Sequence, residues 1–275
     1  MLRISQLYIY PVKSLAGIAV NSARLTGRGL QQDRRLMLVD RDNRFLTQRE
    51  YPSMACLQPV LTGSGLLLHD KKGEMPPLFI PETPAGTAPV TVTVWDDSCD
   101  ALPYERAVND WFSQALGLAC RLVYMPESAL RAADKKYAHN NEIVSFADGY
   151  PTLIIGEASL SDLNARLEEP VPMNRFRPNI VFTGGTAFLE DELAEFSING
   201  IHFFGVKPCA RCVMTTIDQD NPVIAKEPLK TLSGYRQINN KVLFGQNLLH
   251  RGTGSISVGD TLVVNRYQPP AIVHR

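Results

Sequence analysis

The segment 207-KPCARCVMTTID-218 places two of the chain's five cysteines, Cys209 and Cys212, three residues apart with Arg211 between them. That spacing serves three chemistries. A structural zinc site needs about four clustered Cys or His ligands, and here only His202 stands nearby while Cys56, Cys99 and Cys120 are scattered. A redox pair wants its first thiol at a helix N-terminus, where the dipole favours thiolate, but 212-CVMTTI-217 reads as a β-strand. Two reduced thiols packed as small hydrophobes is the ordinary fate of free cysteine. Against it stands Arg211, a cation that needs a partner and that favours the thiolate a soft metal would bind.

Three further segments carry polar groups that a fold alone does not require. In 8-YIYPVKSLAG-17, Lys13 and Ser14 end a strand after a proline and could aim an ammonium and a hydroxyl at one cluster of ligand oxygens. In 29-GLQQDRRLMLVD-40, Arg34 and Arg35 point to opposite faces of an extended chain. The inward one needs an anion or a carboxylate, with Asp33 adjacent. In 174-NRFRPNIVF-182, Arg177 precedes a proline that stiffens the backbone, and Asn179 adds an amide donor and acceptor. One candidate thiolate and several inward cations suit a ligand that carries both a soft metal and a phosphate.

The elements that must position these residues are mostly strands. Residues 2 to 12, 20 to 26, 35 to 40, 44 to 48, 57 to 68 and 90 to 95 read as short β segments. In 104-YERAVNDWFSQALG-117, Val108, Trp111, Phe112 and Ala115 recur at helical spacing before a closing glycine. A polar crossing near 126 to 142 separates a second β-rich region. It opens with 151-PTLIIG-156 and continues into a helix at 157-EASLSDLNARLEE-169, where Ser159 and Asp162 resemble a capping box. Strands are expected at 179–184, 197–206 with a turn at Asn199-Gly200, 212–217, 241–246 and 255–264, with a short helix near 228–236.

A chain of 275 residues with 44% hydrophobic and 20% charged content forms a core without staples. Formal net charge of zero removes the basic footprint of a nucleic-acid binder. The N-terminus lacks a signal-peptide h-region and no apolar run spans a bilayer, so a cytoplasmic location with no membrane partner and reduced cysteines is expected.

Taken in order, YPVKS, GLxxDR, SFADGYPTLIIGEASLSDLN, FRPNIVFTG, KPCARCVMTTID, EPLKTL, FGQN and SVGD resemble the MOSC family of molybdenum-cofactor proteins. The likeness is closest to the mitochondrial amidoxime-reducing components and their bacterial YcbX-like relatives, and it runs from about residue 2 to 264. It implies a mostly β, α+β fold, with an N-terminal β-barrel-like domain over 1–122 and a β-barrel MOSC domain over 123–275. It implies Cys212 as the protein ligand to molybdenum, with Cys209 beside it and not ligating. Lys13, Ser14, Arg34, Arg177 and Asn179 would belong to the pocket for the pterin and its phosphate, and Asp148 and Asn247 would fall on its lining. Arg211, next to Cys212, would help keep that thiol ionised.

The activity so implied is two-electron reduction of small N-hydroxylated compounds by a molybdenum–molybdopterin cofactor, the alternative being a non-catalytic carrier of the same cofactor. The electron donor is expected to be a separate ferredoxin or haem protein. No G-x-G-x-x-G fingerprint occurs, the β-rich order offers no βαβ crossover, and the remaining four cysteines lie too far apart for an iron–sulfur cluster. YcbX-like proteins often continue into a ferredoxin domain with its own cysteine set, and no such set occurs within these 275 residues.

Overall fold

The computed structural model describes residues 1–272; the last residues of the expected MOSC region, 273–275, lie outside them. Seven strands close on themselves in the order Thr152–Gly156, Ile180–Thr183, Leu2–Ile9, Thr261–Tyr267, Leu193–Ile198, Ile201–Arg211 and Lys241–Arg251, which pairs back to Thr152–Gly156. The mostly β reading and the C-terminal barrel are thus borne out. Closure leaves none of the seven with an unpaired edge. Inside it pack Ile4, Leu7, Ile154, Phe182, Phe196, Phe203, Leu248 and Leu262. Phe196 and Phe203 are directly opposed across their strands, with ring centroids 5.3 Å apart. Gly205 is required by the curvature, because a Cβ there would sit 2.0 Å from the Leu193 carbonyl oxygen.

The chain does not divide cleanly at the seam read from sequence. Leu2–Ile9, from the first third, is inserted between two strands of the C-terminal barrel, and Ser22–Thr26 pairs with Gly254–Ser257. Arg121–Tyr124, which straddles 122/123, pairs with Leu36–Val39 and Asp97–Pro103. The rest of the first half is a three-stranded meander, Leu57–Thr62, Gly65–Asp70 and Leu78–Pro81, beside the sheet that ends in the hairpin Val90–Val94/Asp97–Pro103. Helix Arg106–Leu116 buries Val108, Trp111 and Phe112 against this half's core and stops at Gly117 in a left-handed conformation, as its spacing predicts.

Four local expectations are corrected. The chain does contain a βαβ unit: Thr152–Gly156 and Ile180–Thr183 are parallel, which obliges a crossover, and helix Glu157–Asn164 supplies it. It lacks the glycine-rich phosphate turn, so no dinucleotide site follows from it. Ser159 is not a cap; Gly156 occupies that position, and Ser159 is buried and donates to Glu190 Oε2 at 2.7 Å. The 44–48 stretch forms only isolated bridges, Phe45 to Val39 and Arg44 to Thr93. Finally, 212–217 is not a strand. The long strand ends at Arg211, and Val213–Thr216 is a 3-10 turn with Cys212 at its head. Both threonines of that turn donate their hydroxyls to backbone carbonyls three residues back, local bonds that compete with a ladder. Among the described residues no helix is long and apolar enough to cross a membrane.

Candidate functional site

A cleft opens where the two halves meet, and all nine residues singled out in the sequence line it: Lys13, Ser14, Arg34, Asp148, Arg177, Asn179, Arg211, Cys212 and Asn247. Three of them, Ser14, Arg34 and Arg177, hold positive φ values of 66°, 49° and 53°. Each costs on the order of 1 kcal/mol or more for a non-glycine residue and persists only where the surroundings enforce it.

The wall nearest the barrel is built on Tyr10. Its ring carries two guanidinium groups, Arg34 at 4.4 Å and Arg177 at 4.2 Å from the centroid, and its hydroxyl donates to the Pro178 carbonyl. Asp33, buried behind, accepts from Arg34 at 2.6 Å, from the Asn179 amide at 3.1 Å and from the Tyr10 backbone at 2.9 Å. Asn179 also donates to the Tyr8 carbonyl and accepts from Leu153 N–H and Arg34. Its amide is therefore committed within the protein, and its part is to hold Asp33 and Arg34 in place. Arg177 donates to the Leu15 carbonyl at 2.6 Å, and among the described residues no carboxylate lies within ion-pair distance of it. Lys13, almost fully buried, donates to the Phe146 carbonyl and to Asp148 at 2.5 Å.

The opposite wall carries sulfur, and here one expectation is overturned. Arg211 does not face Cys212. Its guanidinium donates to Cys209 Sγ at 2.9 Å and to the Phe176 carbonyl at 2.5 Å, because residues in a strand alternate sides and the strand ends before Cys212. The cation at Cys212 is Arg49, whose Nε lies 3.3 Å from Sγ. Neither Arg49 nor Trp95, which stacks on it at 4.7 Å, was among the expected residues. The available signal was a tryptophan at the tip of a two-residue hairpin turn, where a bulky side chain has no structural reason to be. Asn247 lines the cleft and donates its amide to the Lys207 carbonyl. His202, the candidate for a zinc site, pairs instead with Glu195 on an exposed face.

Comparison with known proteins follows the same division. Residues 1–119 match the MOSC N-terminal beta barrel domain and residues 141–263 match the MOSC domain. The chain is 32% identical to human mitochondrial amidoxime-reducing component 1, over 94% of this chain and 81% of that protein, and 33% identical to bovine mitochondrial amidoxime reducing component 2, over 94% and 81%. The chain belongs to this MOSC family. A rice molybdenum cofactor sulfurase is also similar, 31% identical over 89% of this chain but over 32% of that longer protein. The family association is therefore with the molybdenum cofactor.

Whether the MOSC cleft of this chain suits such a group can be judged from its charges. Five cationic side chains, Lys13, Arg34, Arg49, Arg177 and Arg211, line it with one carboxylate, Asp148. Burial pulls the Arg177 guanidinium down to about 10, with Arg34 adding to the effect and Tyr10 and Asp33 opposing it; it remains a cation at neutral pH. Burial also lowers Lys13, against the pull of Asp148. Burial would raise the Asp148 carboxyl, but Lys13, Trp95 and Arg49 overcome it and hold the group well below the usual carboxylate range. Arg211 Nε is buried and has no hydrogen-bond partner among the described residues. A surplus of buried positive charge with uncommitted donors fits an oxyanion such as a phosphate. The same residues include no cluster of three or more His, Cys, Asp or Glu able to cage a metal ion. A cysteine sulfur at the cleft wall, such as that of Cys212, fits a metal that brings most of its own ligands, as molybdenum does in its pterin dithiolene.

Proposed function

We propose that this chain is a molybdenum-cofactor-dependent reductase of small N-hydroxylated compounds such as hydroxylamines, amidoximes and N-hydroxylated bases. One observation carries the reading. Nine residues from six separate stretches of sequence meet in one cleft that combines the partly exposed thiol of Cys212 with more cations than carboxylates. The cofactor, when bound, supplies the two-electron chemistry at molybdenum. Cys212 holds the metal by its thiolate. Lys13, Arg34 and Arg177 hold the phosphate, the guanidinium groups as forks and the ammonium as a point charge. Asp148, kept ionised at the mouth, accepts hydrogen bonds from substrate N–H groups rather than supplying a proton. In the net reaction the N–O bond breaks, two electrons and two protons are consumed, and the oxygen leaves as water. The electrons come from a separate ferredoxin or haem protein.

The test is metal and pterin analysis of protein made in a cofactor-competent host, followed by turnover of an N-hydroxylated substrate with dithionite-reduced viologen. Turnover distinguishes the reductase from a carrier that binds the cofactor and passes it on. No turnover is expected with NADH or NADPH alone, and turnover with either would refute the need for a protein donor. Cys212→Ser should abolish activity and alter or remove the metal signal, while Cys209→Ser, whose sulfur pairs with Arg211, should keep much of both. Equal loss in the two variants would point to a paired-cysteine site.

A further inference from the structure

Arg49 reaches the sulfur wall from the N-terminal half, and its position is overdetermined. It lies in a tight turn closed by Tyr51 N–H to the Thr47 carbonyl at 2.9 Å. The neighbouring Gln48 is fully buried and exchanges amide hydrogen bonds with Gln219 at 3.2 and 3.4 Å, while donating to the Ser14 carbonyl at 2.7 Å. Gln219 belongs to the loop that follows the 3-10 turn headed by Cys212. One buried amide pair therefore ties the turn bearing Arg49 to the segment bearing Cys212.

The side chain is fixed as well. Trp95 packs against Phe45 at 4.9 Å, presents its ring to the Arg49 guanidinium at 4.7 Å and donates its indole N–H to Asp148 Oδ1 at 3.0 Å. Asp148 Oδ2 lies 3.8 Å from Arg49 Nη2. Trp95 does this at a φ of 57°, a left-handed conformation unusual for so large a residue. With the guanidinium plane held on the indole, Nε is left directed at Cys212 Sγ, 3.3 Å away.

We infer that Arg49 is a positioning residue for the metal-bound sulfur: it donates a hydrogen bond to Cys212 Sγ, fixing the orientation of that ligand and limiting its donation to the metal, with Trp95 holding Arg49 in place. The inference rests on the function proposed above. It also gives the N-terminal half a part at the metal ligand, since among the described residues the side-chain donor to the Cys212 sulfur comes from that half. A hydrogen bond to a ligating thiolate draws electron density from it, raises the reduction potential of the metal and moves the sulfur-to-metal charge-transfer band to higher energy.

The experiment compares loaded wild type, Arg49→Met, Arg49→Lys and Trp95→Leu, each with measured molybdenum and pterin content and melting temperature. At equal loading, Arg49→Met should show a lower potential and a red-shifted charge-transfer band. Arg49→Lys should restore part of the shift, and Trp95→Leu should fall between wild type and Arg49→Met. A spectrum and potential unchanged in fully loaded Arg49→Met would overturn the inference while leaving the proposed function standing. Loss of cofactor from that variant at an unchanged melting temperature would also overturn it, by making Arg49 part of the hold on the group. Wild-type protein that takes up no molybdenum would instead overturn the function, and the inference with it.

Discussion

Two groups of charges are buried in this molecule, and they are finished differently. Beneath the barrel, Arg236, Asp191 and Glu190 are sealed from solvent. Arg236 donates to Asp191 at 2.5 Å and to the Leu243 carbonyl, and lies over the Phe188 ring. Glu190 accepts from Ser159. In the cleft, Lys13 and Arg177 are also buried and Arg34 is mostly so, but among the described residues only Lys13 and Arg34 of the three have carboxylate partners. A sealed cluster must balance itself, because nothing else will. A cluster left with surplus charge at the wall of an open cleft is balanced by whatever the cleft binds. The surplus, more than the burial, is what separates a site from a piece of core.

The largest effect should come from breaking the sealed cluster. Arg236→Met leaves Asp191 buried without its cation and should destabilise the protein by about 3–5 kcal/mol, whereas replacing both Arg236 and Asp191 by apolar residues should recover most of the loss. Arg177→Met in cofactor-free protein should be neutral or stabilising, since it removes a buried cation that has no carboxylate partner among the described residues. Urea unfolding of the variants decides the matter. A fall for Arg177→Met as large as that for Arg236→Met would erase the distinction between the two clusters.

In cofactor binding the order should reverse. Arg177→Met or Lys13→Met keeps side-chain length and removes charge. Each lost charge-assisted contact should cost about 1.5–3 kcal/mol, roughly ten- to a hundredfold in affinity. Release of pterin on dilution, followed by fluorescence of its oxidised form, measures this. Full occupancy of the Lys13→Met/Arg177→Met double variant at dilute protein would show that the surplus charge is not the phosphate clamp.

The two clusters also differ in how far the sequence disclosed them. Lys13, Arg34, Arg177 and Cys212 sit in short motifs whose proline, paired arginines or thiol spacing already raised a chemical question, and a motif set in fixed order located the rest of the cleft. Arg49 and Trp95 escaped because their meaning lies in a contact across 163 residues from Arg49 to Cys212, which no local pattern encodes. Arg211 was assigned to the wrong sulfur for a related reason. Adjacency in sequence suggested contact, whereas the end of the strand at Arg211 turns the two side chains apart. The β-rich class followed from alternation and turn residues, but the threading of Leu2–Ile9 into the C-terminal barrel could not, since strand partners at long range leave no trace in a single segment. The strand expected at 212–217 failed because Thr215 and Thr216 found backbone partners locally.

The smallest effect distinguishes the clusters by pH. Burial raises the Glu190 carboxyl to about 7, with the nearby Asp191 charge adding to the rise and the Ser159 hydrogen bond opposing it; Glu190 Oε1 has no hydrogen-bond partner among the described residues. A carboxyl whose folded value lies above its unfolded value holds its proton longer in the folded state. Its contribution to stability is therefore full below the unfolded value near 4.5 and is lost as pH rises through about 7. Stability should fall by at most about 2 kcal/mol between pH 5 and 7 from this group, and Glu190→Gln, which cannot ionise, should flatten that slope. The depressed carboxyls, Asp148 in the cleft and Asp134 near its mouth, act with the opposite sign. Their contribution is present above their unfolded values and is lost only as pH falls below the ordinary carboxylate range, so the two windows do not overlap. Denaturant midpoints measured across pH 4 to 8 for wild type and Glu190→Gln would test this, and an unchanged slope in the variant would place the origin of the pH dependence elsewhere than in the sealed cluster.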